Sequence, residues 1–206
     1  MPPRPRPARS ASFRHRATEP ISSYFARRIQ VYSFRTFSSR NVPRVRRVLR
    51  ISPGQRPTEA TGEPLFLHDL SEFWGVLPNP DGTYRREWLE SAIGDPTWSA
   101  YLVWSGDRPV GFAFVRALDS DARVLNSFFV VRGARRSGLG LRAVQAVLAA
   151  HPGRWEIAFQ EENAGAARFW RHVASEVAGE AWTEERRPVP GKPELPGNTW
   201  VAFDAR

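Results

Sequence analysis

Phe128-Phe129-Val130-Val131-Arg132-Gly133-Ala134-Arg135-Arg136-Ser137-Gly138-Leu139-Gly140 carries an apolar strand through arginines and glycines straight into a helix. The chemistry of that pattern is anion binding. Gly138 and Gly140 lack the Cβ atoms that would keep a ligand off the backbone, so the N–H groups at the helix start can converge on a phosphate. Arg135, Arg136 and Arg142 add positive charge beside them, of the same sign as the helix dipole.

Three phosphate motifs fit parts of this stretch. Gly133 and Gly138 have P-loop spacing, but Leu139 stands where the phosphate-gripping lysine belongs and Gly140 where Ser or Thr would hold magnesium. The P-loop reading fails. Gly138-Leu139-Gly140-Leu141-Arg142-Ala143 also matches the dinucleotide fingerprint GxGxxA after a strand. Only 66 residues follow Gly140, too few for the rest of a dinucleotide domain. The third pattern is RxxGxG, Arg135-x-x-Gly138-x-Gly140.

A second segment completes the third pattern. After the helix come Trp155-Glu156-Ile157-Ala158-Phe159-Gln160, a short strand, and then Glu161-Glu162-Asn163-Ala164-Gly165-Ala166-Ala167-Arg168-Phe169-Trp170. RxxGxG resembles the acetyl-CoA pyrophosphate loop of the GNAT superfamily of N-acetyltransferases. The second segment resembles that superfamily's closing motif, an Asn at the end of the fifth strand followed by Ala and two aromatic or apolar residues on the next helix. The two motifs stand in the right order, about one βα unit apart; a plain parallel βαβ unit with a glycine-capped helix is the competing reading.

The resemblance implies a direct acetyl transfer from acetyl-CoA to a primary amine through a ternary complex. It implies that backbone groups near Val130 and Arg132 bond the pantetheine arm. It gives the pyrophosphate to the amides of Arg135, Arg136, Ser137, Gly138, Leu139 and Gly140, and the end of the pantetheine to Asn163. Asn163 also suits a helix N-cap ahead of Ala164. Many members place a glutamate on the fourth strand as base; Asn126 and Ser127 occupy that neighbourhood here. Trp170 stands where many members have a tyrosine that protonates the leaving thiolate. Glu161 and Glu162 are the nearest carboxylates by sequence and so the candidate catalytic residues, although a solvated loop also explains them. His68 and Asp69, on an early helix, join Trp170 as candidates for the acceptor pocket. His172, about 200° around the helix from Trp170, reads as a surface or packing residue.

The elements that must position these residues follow from periodicity. Arg44 to Ile51 reads as a first edge strand, and Leu65 to Trp74 as a helix with Leu67, Leu70, Phe73 and Trp74 on one side. Asn79-Pro80-Asp81-Gly82 is a turn, after which Thr83 is placed to cap a helix over Tyr84 to Ile93. Ser99 to Trp104 and Val110 to Val115 form a hairpin, followed by a strand over Val124 to Arg132. In the helix after the loop, Leu141, Val144, Val147 and Leu148 make an apolar face, and Pro152-Gly153 stops it. Residues 176–184 and Thr199 to Phe203 are expected as the last two strands. Of the eight tryptophans, including Trp155 and Trp200, most belong to a core. The fold class is α/β (α+β): a mixed, mostly antiparallel central sheet with one splayed parallel pair and flanking helices. The resemblance covers about residues 98–172.

Composition sets the outer limits. The net charge of +9 is concentrated in residues 1–56, which hold 14 arginines and one acid, Glu19; the remainder carries an acidic excess of 4. A basic nucleic-acid footprint across the folded part is therefore not expected. Residues 1–43 are expected as a basic, disordered extension, with an amphipathic helix available over 21–37, and 44–206 as one acetyl-CoA-binding domain. For the extension a solvated tail or untranslated sequence, an organelle transit peptide, and a membrane- or nucleic-acid-binding arm all stay open. The chain has no cysteine, so a thiolate nucleophile and a disulfide framework are excluded. No run reaches the 18 or more apolar residues of a spanning helix. The expected location is cytoplasmic, with an organelle as the alternative. Expected partners are an amine acceptor, a small molecule or a peptide N-terminus, with homodimerisation open and no metal expected. Two other functions compete: a non-catalytic acyl-CoA-binding regulatory module, and an adaptor acting through the arginine-rich head.

Overall fold

The structure is a computed structural model that describes residues 62–189 and 195–206, and the backbone of Ile29–Tyr32 and Arg44–Ile51. These form a sheet in the order β1-β2-β3-β4-β5-β6-β8-β7. Its strands are β1 (Ile29–Tyr32), β2 (Arg44–Ile51), β3 (Ser99–Ser105), β4 (Arg108–Arg116), β5 (Ala122–Val130), β6 (Gly153–Phe159), β7 (Trp182–Arg187) and β8 (Asn198–Ala205). Helices α1 (Glu63–Trp74), α2 (Glu87–Gly94), α3 (Leu139–Ala149) and α4 (Ala164–Ala178) flank it. Every pairing is antiparallel except β5 with β6.

The exceptional pair shapes the molecule. β5 and β6 are paired only from Ala122↔Arg154 to Leu125↔Ile157. Beyond Leu125 the register of β5 against β4 slips, with Phe114 opposite Ser127 and Val115 opposite Leu125, so Asn126 is the extra residue of a bulge. β5 continues to Val130 and β6 to Phe159 without pairing to each other, and the sheet opens between them.

Helices seal the faces on either side of the opening. α3 buries Leu139, Ala143, Val144, Val147 and Leu148, and α4 buries Ala167, Trp170, Val173 and Ala174. Both pack with Trp155, Ile157, Val201 and Phe203 of the sheet in one core. Trp155 is fully buried and its indole N–H donates to His151 O at 3.0 Å. On the opposite face Leu89 and Ala92 of α2 meet Leu102, Phe112, Phe114 and Phe129.

Several boundaries differ from expectation. Thr83 does not cap α2: its hydroxyl and N–H both bond Asp81 Oδ1, closing the preceding turn, and the helix starts at Glu87. Residues 176–178 belong to α4 rather than to a strand, because Val173 and Ala174 keep the helical period running to Gly179; β7 begins at Trp182. On α3, Leu141 is only half-buried, and Leu139 and Ala143 complete the buried face instead. Within 21–37, Ile29–Tyr32 is a strand paired with β2 rather than part of a helix, so Arg44–Ile51 is not the sheet's edge. The rest of the 1–43 extension lies outside the described residues.

Candidate active site

Past the bulge at Asn126, the end of β5 and three helix segments enclose a cleft of about 630 Å³. One wall is α1, which presents Phe66, Asp69, Leu70 and Phe73, one helical stripe at i, i+3, i+4 and i+7. Leu67 and Glu63 are buried on the other stripe, so the apolar residues expected on one side are divided, with Leu67 in the core and Leu70 and Phe73 on the cleft. Phe128, Phe129 and Val130 of β5 form the back, and the start of α4 from Asn163 to His172 forms the opposite wall.

The loop between β5 and α3 closes one end. A short 3-10 turn, Arg132–Ala134, leads into Arg136 at φ 62 and Gly138 at φ 74, both left-handed. That conformation costs a β-carbon-bearing residue of the order of 1 kcal/mol, which Gly138 avoids. A Cβ on Gly138 would also lie 2.7 Å from Arg142 Nη1, and one on Gly140 would lie 3.4 Å from the Phe169 ring. The first intrahelical bond of α3 runs from Arg142 N to Gly138 O at 3.2 Å. The N–H groups of Leu139, Gly140 and Leu141 are thus the open donors of a helix start, with Gly138, Gly140 and Leu141 on the cleft surface.

The arginines of this end do different jobs. Arg136 lines the cleft, and Ser137 bonds Ala134 O through its hydroxyl at 3.0 Å, tightening the loop. Arg135 donates from Nε to Val130 O at 2.6 Å and from Nη2 to Asp69 Oδ2 at 2.6 Å. Arg132 donates to the other oxygen, Asp69 Oδ1, at 3.0 Å. Burial raises the Asp69 pKa, but the hydrogen bonds and charges of Arg135 and Arg132 outweigh it and hold the carboxyl below its ordinary value. Asp69 is therefore a fixed anion at neutral pH, unsuited to carrying protons.

Asn163 ends the β6 side. Its Oδ1 accepts from Ala166 N at 3.0 Å, the N-cap of α4, and the residue also lines the cleft. Aromatic rings fill the space beside it. Phe128 and Phe169 are stacked 5.8 Å apart at 7°, and Trp170 meets their edges at 5.6 and 4.8 Å.

The structure thus brings together Val130, Arg132, Arg135, Arg136, Gly138, Gly140, Asn163, Asp69 and Trp170. Glu161, Glu162 and His68 are not among the residues lining the cleft. Glu161 is held by Arg171 at 2.5 Å and by the Thr199 hydroxyl at 2.8 Å, and these bonds keep its carboxyl below the ordinary glutamate range. Glu162 and His68 are exposed. Asn126 donates to Ser127 Oγ at 3.1 Å, so no carboxylate stands at the bulge. Sequence reasoning missed Glu72, Arg168 and His172, which line the cleft. For His172 the angle from Trp170 misled, because the cleft wraps around α4 beyond the buried stripe. Among the described residues no group of His, Asp and Glu could hold a metal ion, and no helix is long and apolar enough to cross a membrane.

Known proteins share this fold. No curated protein is similar enough in sequence to match. The fold is similar to that of a GNAT-family acetyltransferase from Staphylococcus aureus MU50, at 14% identity over 80% of this chain and 99% of that one, TM-score 0.52. It is also similar to a GNAT acetyltransferase from Elizabethkingia anophelis with acetyl-CoA bound (10% identity, 79% and 98% covered, TM-score 0.53). A ribosomal L7/L12 alpha-N-protein acetyltransferase in complex with coenzyme A gives 11% identity, 81% and 96% covered, and TM-score 0.53. The model of the acetyltransferase (GNAT) family matches residues 64–174, from α1 through most of α4, and with that match over more than half its length the chain belongs to the GNAT family of acetyltransferases.

Proposed function

We propose that this acyltransferase moves an acetyl group from acetyl-CoA to a primary amine by direct attack in a ternary complex. One observation carries the reading: the end of β5 that β6 leaves unpaired, the glycine-capped start of α3 and the Asn163 cap that follows β6 all line the same cleft. The residues suit the cosubstrate. Open N–H donors at Leu139, Gly140 and Leu141 match a pyrophosphate, and the edge of β5 beyond Leu125 that β6 leaves unpaired matches an extended amide-bearing arm, with Val130 O already engaged by Arg135. Bound there, acetyl-CoA supplies a thioester whose carbonyl carbon the amine attacks; the C–N bond forms as the C–S bond breaks.

This chain contributes mainly position. Asn126 and Ser127 at the bulge and Trp170 on α4 neither take nor give a proton near neutral pH, and Asp69 is locked. The amine then arrives neutral, its proton already lost to water, and the thiolate leaves into solvent for its proton; Glu72 and His172, the carboxylate and imidazole that also line the cleft, are accordingly expected to tolerate Glu72→Gln and His172→Gln with less than about a threefold change in turnover. Holding two reactants in register is itself worth several orders of magnitude in rate. The acceptor fits between α1 and α4, whose lining side chains combine the aromatic Phe66, Phe73, Phe169 and Trp170 with the polar Glu72, Arg168 and His172. Both a small cationic amine and a peptide N-terminus satisfy that lining.

The test is acetyl-CoA-dependent modification of a panel of polyamines, amino sugars and peptide N-termini, followed by thiol release and mass spectrometry of the acceptor. An acetylated amine whose rate rises with pH supports the reading; thiol release without any acetylated amine opposes it.

A further inference from the structure

The arginine that opens the RxxGxG pattern makes contacts a phosphate ligand would not need. Arg135 spends Nε on the carbonyl of Val130 and Nη2 on Asp69, both at 2.6 Å, and its guanidinium lies 5.5 Å from the centre of the Phe129 ring. Asp69 comes from α1, 66 residues away, and its second oxygen is taken by Arg132. One carboxylate thus ties the acceptor-side helix to both ends of the 3-10 turn that starts the cofactor loop. No other ion pair among the described residues joins α1 to the loop.

We infer that Arg135 and Asp69 are positioning residues for acetyl transfer: their fork fixes the end of β5 and couples the cofactor loop to the acceptor wall, and Arg135 is not a phosphate ligand. The inference rests on the acetyl-CoA reading of the cleft. Planarity matters to it. A guanidinium reaches a carbonyl and a carboxylate at once along fixed directions, whereas an ammonium delivers the same charge from one point. A phosphate ligand at this position would tolerate lysine; the fork would not.

Calorimetric titration with acetyl-CoA separates the possibilities, with melting temperature as the control for folding. Arg135→Lys, Arg135→Gln and Asp69→Asn are each expected to weaken binding by roughly three- to tenfold, the modest size reflecting partly exposed side chains, and the Asp69→Asn/Arg135→Gln pair no more than either alone. In turnover with whichever amine is found, Asp69→Asn raises the acceptor KM more than it lowers kcat. Two results overturn the inference: Arg135→Lys binding like the wild type, or Asp69→Asn binding more tightly because two arginines are released to the phosphates. Should Asp69→Asn fail to fold, Asp69→Glu, which retains a carboxylate, and Arg132→Gln give the same comparison through partial rescue and partial loss. Absence of acetyl-CoA binding by the wild-type chain is a different outcome, which sinks the reading of the cleft itself.

Discussion

The two ends of the cleft are made of different material. At the end proposed to hold acetyl-CoA the groups on offer are backbone: the N–H donors of Leu139 to Leu141, exposed by Gly138 in the left-handed region and by the missing side chain of Gly140. At the end proposed for the acceptor they are side chains carried on α1 and α4, with Phe66, Phe73 and Glu72 from one helix and Trp170 and His172 from the other lining the cleft. A backbone site demands glycine at fixed spacing and so marks the sequence. A side-chain site can be met by many residues, provided two helices meet, and leaves no such mark. The difference also predicts how each end responds to change: the cofactor end through shape, the acceptor end through charge and pH.

The largest expected effect of charge is on stability. Glu63, at the start of α1, is 2% exposed, and desolvation raises its pKa to about 7 against the opposing hydrogen bond from the Leu89 backbone. The folded state then holds a proton that the unfolded chain releases near 4.5. Its contribution is present in full below that value and is lost as pH rises through about 7. Glu63→Gln keeps an acceptor for Leu89 without the charge, so denaturant unfolding at about pH 8 should show a gain of up to roughly 3 kcal/mol that vanishes in acid. An equal gain at all pH values would place the effect elsewhere.

Asn163 belongs to both ends, and its two roles separate by substitution. Asn163→Ala should cost about 1 kcal/mol in unfolding free energy through loss of the α4 cap. Asn163→Asp retains the oxygen that accepts from Ala166 and should restore stability, while acetyl-CoA affinity stays reduced if the amide N–H₂ serves the ligand. A smaller effect is expected at Glu161 and Glu162. Neither lines the cleft, so Glu161→Gln and Glu162→Gln should each alter turnover by less than about threefold, whereas removal of a general base lowers it by a hundredfold or more. The smallest concerns the extension. A chain beginning at residue 42 should keep its acetyl-CoA affinity, because no described residue of the cleft precedes Phe66, while its melting temperature falls by the few degrees that the lost β1 edge strand contributes. A collapse of either quantity would show that the pairing of β1 with β2 supports the domain.

The loop geometry was legible in sequence because Arg135-x-x-Gly138-x-Gly140 and Asn163 each answer a local backbone need: a left-handed turn, a bare helix start, a cap. The β3-β4 hairpin and the α3 core face followed from alternation and helical period. What escaped depended on contacts distant in sequence. Nothing local shows that Asp69 meets Arg135 across 66 residues, that Glu161 turns to Arg171 and Thr199, or that His172 reaches the cleft. Thr83 failed as a cap for a local reason: Asp81 captured its hydroxyl first. Leu141 was counted into the core face because apolar period alone does not distinguish a side chain facing the sheet from one lining a cleft.

The central claim is that the glycine-capped start of α3 holds acetyl-CoA. Titrating acetyl-CoA into the wild-type chain and into Gly138→Val/Gly140→Val by calorimetry, with circular dichroism to confirm the fold, addresses it directly. Valine at a φ of 74 and beside the Phe169 ring should abolish measurable binding, a loss of roughly a hundredfold or more, while the helical signal persists. Unchanged affinity in the folded double variant would contradict the account and move the cosubstrate to another surface.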